Sequence, residues 1–116
     1  MQYVMLIYNA EERWAALSEA EEAKIMAGHF AVMEQSQKDG TYIGGNRLVD
    51  VGAATTVRNH SGKIIVTDGP FAETKEQLGG YYVFECDNID QVIAYAGMIP
   101  QEDTGSIEIR PVFEMD

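Results

Sequence analysis

Apolar residues run without a break from Tyr3 to Tyr8. A strand with one wet face alternates apolar and polar side chains, so a continuous run predicts a central strand over residues 2–8, covered on both sides. Ser18 followed three residues later by Glu21 has the spacing of a capping box, and the helix it starts reads from 18 to 39, where Gly40 supplies a natural stop. An extended pattern returns over 41–49. Residues 54–58 and 63–67 are rich in β-branched side chains and flank Asn59-His60-Ser61-Gly62, which predicts a β-hairpin with a four-residue tip. Past Gly79-Gly80, residues 81–86 read as a strand. A helix follows from Asp87 or Asn88 to Met98, stopped near Pro100. The last strand spans 106–113, with Ile107 and Ile109 alternating against Glu108 and Arg110.

This order predicts one α+β domain over residues 1–116: a ferredoxin-like βαββαβ sandwich with an extra hairpin and both helices on one sheet face. The other face then combines the second apolar side of the first strand with Glu108 and Arg110. A surface that is part apolar and part charged suits a subunit interface or a sheet-lined cleft, so a homodimer packed through its sheets is expected. No repeat, low-complexity tract or linker interrupts the chain.

Charge narrows the partners. Nineteen acidic residues against eight basic ones give a net −11 over 116 residues, the wrong sign for gripping phosphate backbones or anionic membranes. Apolar runs are too short to span a bilayer. Cys86 has no second cysteine to pair with, and no basic leader precedes an apolar segment, which points to the cytoplasm. Gly44-Gly45 and Gly79-Gly80 lack the spacing of nucleotide-binding loops, so no nucleotide cofactor is indicated.

Two places carry candidate chemistry. At 100° per residue, His29 falls within the arc of Ile25, Met26, Phe30, Val32 and Met33 that should press on the sheet. An imidazole there is either a general acid/base tuned by burial or a neutral core histidine with one hydrogen-bonded partner. His60, at the hairpin tip, is expected to be exposed and inert. The second place is Asp68-Gly69-Pro70-Phe71-Ala72-Glu73-Thr74-Lys75-Glu76, which puts two backbone punctuators, an aromatic ring and four charges into nine residues. Gly69 and Pro70 predict a rigid loop. Asp68 either shapes that loop or polarises a ligand. Glu73 and Glu76 could add carboxylates, Lys75 could hold an anion, and Phe71 could anchor the loop or face a ligand. Their spacing matches no metal motif. Arg110 shares a strand face with Glu108; it either neutralises that carboxylate or, if the loop carries Asp68 over the same face, converges with Asp68 on a ligand in a cleft between subunits. Tyr8, Tyr42, Tyr81 and Tyr82 bring polar tips to strands, where such rings pack or hydrogen-bond.

The Asp68 motif resembles the signature of the DGPF proteins, a branch of the YCII-related family. The resemblance extends to Tyr3-Val4-Met5-Leu6-Ile7-Tyr8, Ala54-Thr55-Thr56-Val57-Arg58, Gly79-Gly80-Tyr81-Tyr82 and Gly105-Ser106-Ile107-Glu108-Ile109-Arg110-Pro111. It implies a dimeric α+β barrel of ferredoxin-like subunits. In the wider family a histidine on the first helix pairs with an aspartate just before a proline after the second helix. His29 resembles that histidine, but Ile99 stands where the aspartate would be, before Pro100, so the pair is not reproduced. The resulting expectation is a homodimer that binds a small organic molecule, with cofactor-free proton transfer by His29, assisted by Asp68 and Arg110. The alternative is a non-catalytic regulatory module, since relatives resemble domains associated with sigma-class transcription proteins.

Overall fold

In the structure, a computed structural model that describes residues 1–115, the N-terminal apolar run forms β1 (Gln2–Asn9), flanked by β5 (Gln77–Glu85) and β6 (Ser106–Pro111). β2 (Tyr42–Arg47) completes a four-stranded sheet in the order β2-β5-β1-β6, antiparallel at every pair. Two helices, α2 (Glu19–Asp39) and α3 (Ile89–Ala96), cover one face. This mixed α+β arrangement is compatible with a ferredoxin-like fold. β3 (Thr55–His60) and β4 (Lys63–Asp68) pair only with each other, as a separate two-stranded sheet.

Strand parity decides what meets the helices. Tyr3, Met5 and Ile7 of β1 and Tyr82 and Phe84 of β5 point inward, against Val32 of α2, Val92 and Tyr95 of α3, and Ile99. Phe84 and Met5 are fully buried, and burying such side chains stabilises by about 1.5–3 kcal/mol each. Val4 and Leu6 take the opposite face, in register with Arg110 and Glu108.

The capping box forms as its spacing predicts: the Glu21 N–H donates to Ser18 Oγ at 3.1 Å and the Ser18 N–H to Glu21 Oε1 at 3.0 Å. Gly40 ends α2 at φ 76, a conformation that costs glycine nothing. Just beyond it, the Tyr95 hydroxyl donates to Asp39 Oδ2 at 2.6 Å and lies 2.8 Å from Thr41 Oγ1, joining the end of α2 to α3.

Several boundaries differ from expectation. The hairpin turns on Ser61 and Gly62 alone (φ 53 and 80), so His60 is the last residue of β3, paired with Lys63, instead of lying in a four-residue tip. β5 starts at Gln77 and runs through Gly79-Gly80, with a bulge opposite Ile7 and Tyr8 that absorbs the extra residue. β2 ends at Arg47, α3 at Ala96 and β6 at Pro111. One element was not foreseen: α1 (Glu11–Ala15), five residues long and too short to show helical periodicity. Its Glu11 Oε2 accepts the Val51 N–H at 2.9 Å, and the Glu11 N–H donates to Gln77 Oε1 at 2.9 Å. Those bonds tie α1 to the segment after β2 and to the start of β5.

The hairpin stands away from this core. All six residues of β4 are exposed, and Val57, Ile64 and Val66, which share one face, are 61%, 65% and 63% exposed. The radius of gyration is 16.1 Å, against about 13 Å for a compact chain of this length.

Candidate functional site

His29 sits on the sheet-facing side of α2, one residue past the buried Gly28. Its Nδ1 lies 2.7 Å from the Tyr82 hydroxyl, and the two rings stack at 5.8 Å with 29° between their planes. Tyr82 in turn stacks on Phe84 at 5.7 Å, so the phenol is fixed from below by the core. It is also fixed from the side: a Cβ on Gly45 of β2 would fall 2.7 Å from Tyr82 Cδ1 and 2.6 Å from the Tyr81 carbonyl oxygen. Only a glycine leaves that ring its place.

Both groups line a cavity of about 390 Å³ between α1, α2 and the helix-facing side of β1, β2 and β5. Ile7, Trp14, Met26, Met33 and Tyr42 supply its apolar wall, with Arg47 the cation among its lining residues. Its size is that of small-molecule sites, and so is its combination of apolar walls with a few polar groups. The Arg47 guanidinium lies over the Trp14 ring, 5.4 Å from the centroid.

Electrostatics keep both partners neutral. Burial lowers the His29 pKa below its ordinary 6.5, and the Arg47 charge lowers it further. Burial, with a smaller contribution from Tyr42, pushes the Tyr82 phenol up to about 12. At neutral pH the pair is therefore imidazole and phenol. With its proton on Nδ1, the imidazole donates to the Tyr82 oxygen and Nε2 holds a lone pair; in the other tautomer Tyr82 donates to Nδ1 and Nε2 carries the proton. Nε2 has no protein partner among the described residues, nor is it sealed from solvent. The pair can accordingly take a proton or give one.

The other candidate residues lie elsewhere. Arg110 is exposed on β6, in register with Val4, on the sheet face opposite His29. Asp68 ends β4, paired with Thr55 and exposed on the hairpin. The loop after it turns at Gly69 (φ 95) and is held by the Gly69 N–H donating to the Ala54 carbonyl, by Thr56 Oγ1 donating to the Gly69 carbonyl, and by Arg58 donating to the Phe71 carbonyl. Phe71 is 74% exposed, not anchored in a recess, and Glu73 is exposed as well. Lys75 borders a shallow recess with Tyr8, Ser106 and Glu108 on the open sheet face. None of Asp68, Phe71, Glu73, Lys75 or Arg110 lines the cavity at His29. Phe30, placed by periodicity in the sheet-facing arc, is 64% exposed at the cavity edge. Among the described residues no cluster of metal-ligating side chains occurs, and no helix is long and apolar enough to cross a membrane.

Sequence reasoning missed three contributors. Tyr82 was foreseen only as a strand tyrosine, although its parity with Phe84 in β5 marks it as inward-facing. Arg47 and Trp14 carried no local signal, since they meet only through the unforeseen α1.

What fold and site define together is a small α+β protein with a helix-covered antiparallel sheet and a histidine–tyrosine pair at an apolar cavity. The chain belongs to the YCII-related domain family, whose model matches residues 1–116. It is similar to an uncharacterized protein of Rhizobium meliloti (strain 1021), 40% identical over 114 residues that cover 97% of this chain and 92% of the relative.

Proposed function

We propose that this protein binds a small organic molecule in the cavity at His29 and moves a proton on it without a cofactor. The observation that carries this is the 2.7 Å contact between His29 and Tyr82 at the wall of an apolar cavity. His29 Nε2 takes a proton from the substrate, and the imidazolium so formed donates from Nδ1 to the Tyr82 oxygen. The phenol orients the ring through both states. Solvent deuterium incorporation into a panel of small carbon acids, followed by proton NMR, tests the reading: exchange should exceed the buffer rate and be lost in His29→Ala with the fold retained. Exchange that persists unchanged in that variant removes His29 from the chemistry.

The Asp68 motif supports placing the chain in the DGPF branch, and its composition a cytoplasmic setting. The half-covered Val4, Leu6 and Val83 on the open sheet face support a homodimer of the barrel type. In that assembly Arg110, Lys75, Glu73, Phe71 and Asp68 serve the subunit contact, being distant from the cavity of their own chain. A second reading, a regulatory module that docks another protein, is favoured by one feature: the exposed apolar face of the β3–β4 hairpin.

A further inference from the structure

We infer that the ligand of this cavity is a planar aromatic carboxylate, its anionic group held by Arg47 and its ring received by the apolar wall. This deepens the reading of His29 as a small-molecule site and rests on it. Among the described residues Arg13–Asp103 is the one ion pair between side chains, so Arg47 shares with most cations of the chain the lack of a carboxylate partner; what sets it apart is its place in the cavity wall. Two carboxylates share the cavity wall with it, Glu11, engaged by the Val51 N–H, and Asp50, and neither forms an ion pair with Arg47. Arg47 is instead held over Trp14 at 5.4 Å. A guanidinium seated on an indole face keeps its in-plane N–H donors free, and their fork matches the two oxygens of a carboxylate.

Arg47 also acts on His29, so an anion bound at Arg47 lies within the field of the imidazole. The surfaces beside it are rings and thioethers: Trp14, Tyr42, Tyr82, Met26 and Met33. Such walls favour a flat π-system, since sulfur and ring edges contact aromatic ligands well. A cavity of about 390 Å³ accommodates one or two fused rings.

The test is a titration of the ¹⁵N-labelled protein with 1-naphthoate and with its neutral isostere 1-naphthamide, read from amide and arginine side-chain resonances. Naphthoate should perturb Arg47, Tyr82 and the α2 turn at His29, and bind about tenfold to a hundredfold more tightly than the amide. Arg47→Gln should erase that preference while the amide's affinity holds; Lys24→Gln, which removes the same charge from the exposed surface of α2, should keep it. Should Arg47→Gln fold poorly, Arg47→Lys and the wild-type comparison decide the matter. Equal binding of acid and amide within the cavity overturns the carboxylate assignment and leaves the small-molecule site standing. If neither compound perturbs cavity residues, or naphthoate perturbs only the recess at Lys75, the cavity reading fails as well.

Discussion

Replacing Gly28 by alanine sets two effects of similar size against each other. In a free helix the change is favourable by about 1 kcal/mol, because alanine loses less backbone entropy than glycine. Here the new Cβ would lie 2.6 Å from Pro100 Cδ, 2.7 Å from the Met98 carbonyl oxygen and 3.2 Å from Ile99 Cα. Ordinary carbon contacts need about 3.5–4.0 Å, so α2 and the segment after α3 must part by roughly 1 Å. The obstructing atoms are backbone and a proline ring, which cannot swing aside. Overpacking of this kind costs about 1–3 kcal/mol and occasionally more; with rigid neighbours the upper end applies, leaving a net loss of about 2 kcal/mol. For a chain this long that lowers Tm by roughly 5–10 °C. Gly52→Ala is the control, since nothing lies within 4 Å of its Cβ and its change should stay within about 0.5 kcal/mol. Thermal unfolding followed by circular dichroism compares the three proteins. The same displacement would stretch the His29–Tyr82 contact, so His29 ring resonances should move in G28A and not in G52A. A G28A protein that melts at or above the wild-type temperature would refute the close approach of α2 to residues 98–100.

The remaining expectations concern charge and assembly. NMR titration of His29 should give a midpoint below 6.5, moving back up in Arg47→Gln because one of the two lowering influences is gone; a wild-type midpoint at or above 6.5 contradicts the burial assigned to the ring. Because the folded pKa is the lower one, the unfolded chain binds more protons in between, and the stability His29 contributes is complete above 6.5 and lost as pH falls toward the folded midpoint. Denaturant unfolding between pH 7.5 and 5 should show that loss, and His29→Gln should remove this part of the slope. Tyr82→Phe, which takes away one partly buried hydrogen bond, should cost about 1 kcal/mol and change the His29 ring shifts; unaltered shifts would mean that the 2.7 Å contact does not form in solution. Leu6→Glu, on the open sheet face, should dissociate the proposed dimer in light scattering without lowering helix content. An unchanged mass would exclude the open sheet face from the subunit contact.

Local signals carried most of the fold. The β1 run, the Ser18–Glu21 box, the Gly40 stop and the β-branched hairpin each follow from interactions within a few residues, so periodicity and capping chemistry locate them. Failures cluster where a distant partner decides. β5 runs through Gly79-Gly80 because pairing with β1 and β2 outweighs glycine's weak strand preference, a matter no window on residues 77–80 reveals. α1 exists because Glu11 is held by Val51 and Gln77, forty and sixty-six residues away in sequence.

The site follows the same division. His29 was legible from helical angle alone, as a titratable ring in an apolar arc, but its partner is fifty-three residues away on another element and the sequence had offered only Ile99 in the place of a family aspartate. Ile99 is 4% exposed and packs with the core at Gly28, so that position now fills space and brings no charge to the ring. The lack of a carboxylate there sets the sign of the chemistry. A carboxylate beside an imidazole stabilises the protonated ring and raises its pKa, making a better acid reservoir at neutral pH. A phenol with its own pKa near 12 contributes no charge, and burial and Arg47 then act unopposed to keep His29 neutral. On the proposed reading, an isoleucine at the position resembling the family aspartate, with Tyr82 as the ring's partner, leaves the histidine a neutral base, and it leaves the positive charge of the site on Arg47, where an anionic ligand can use it.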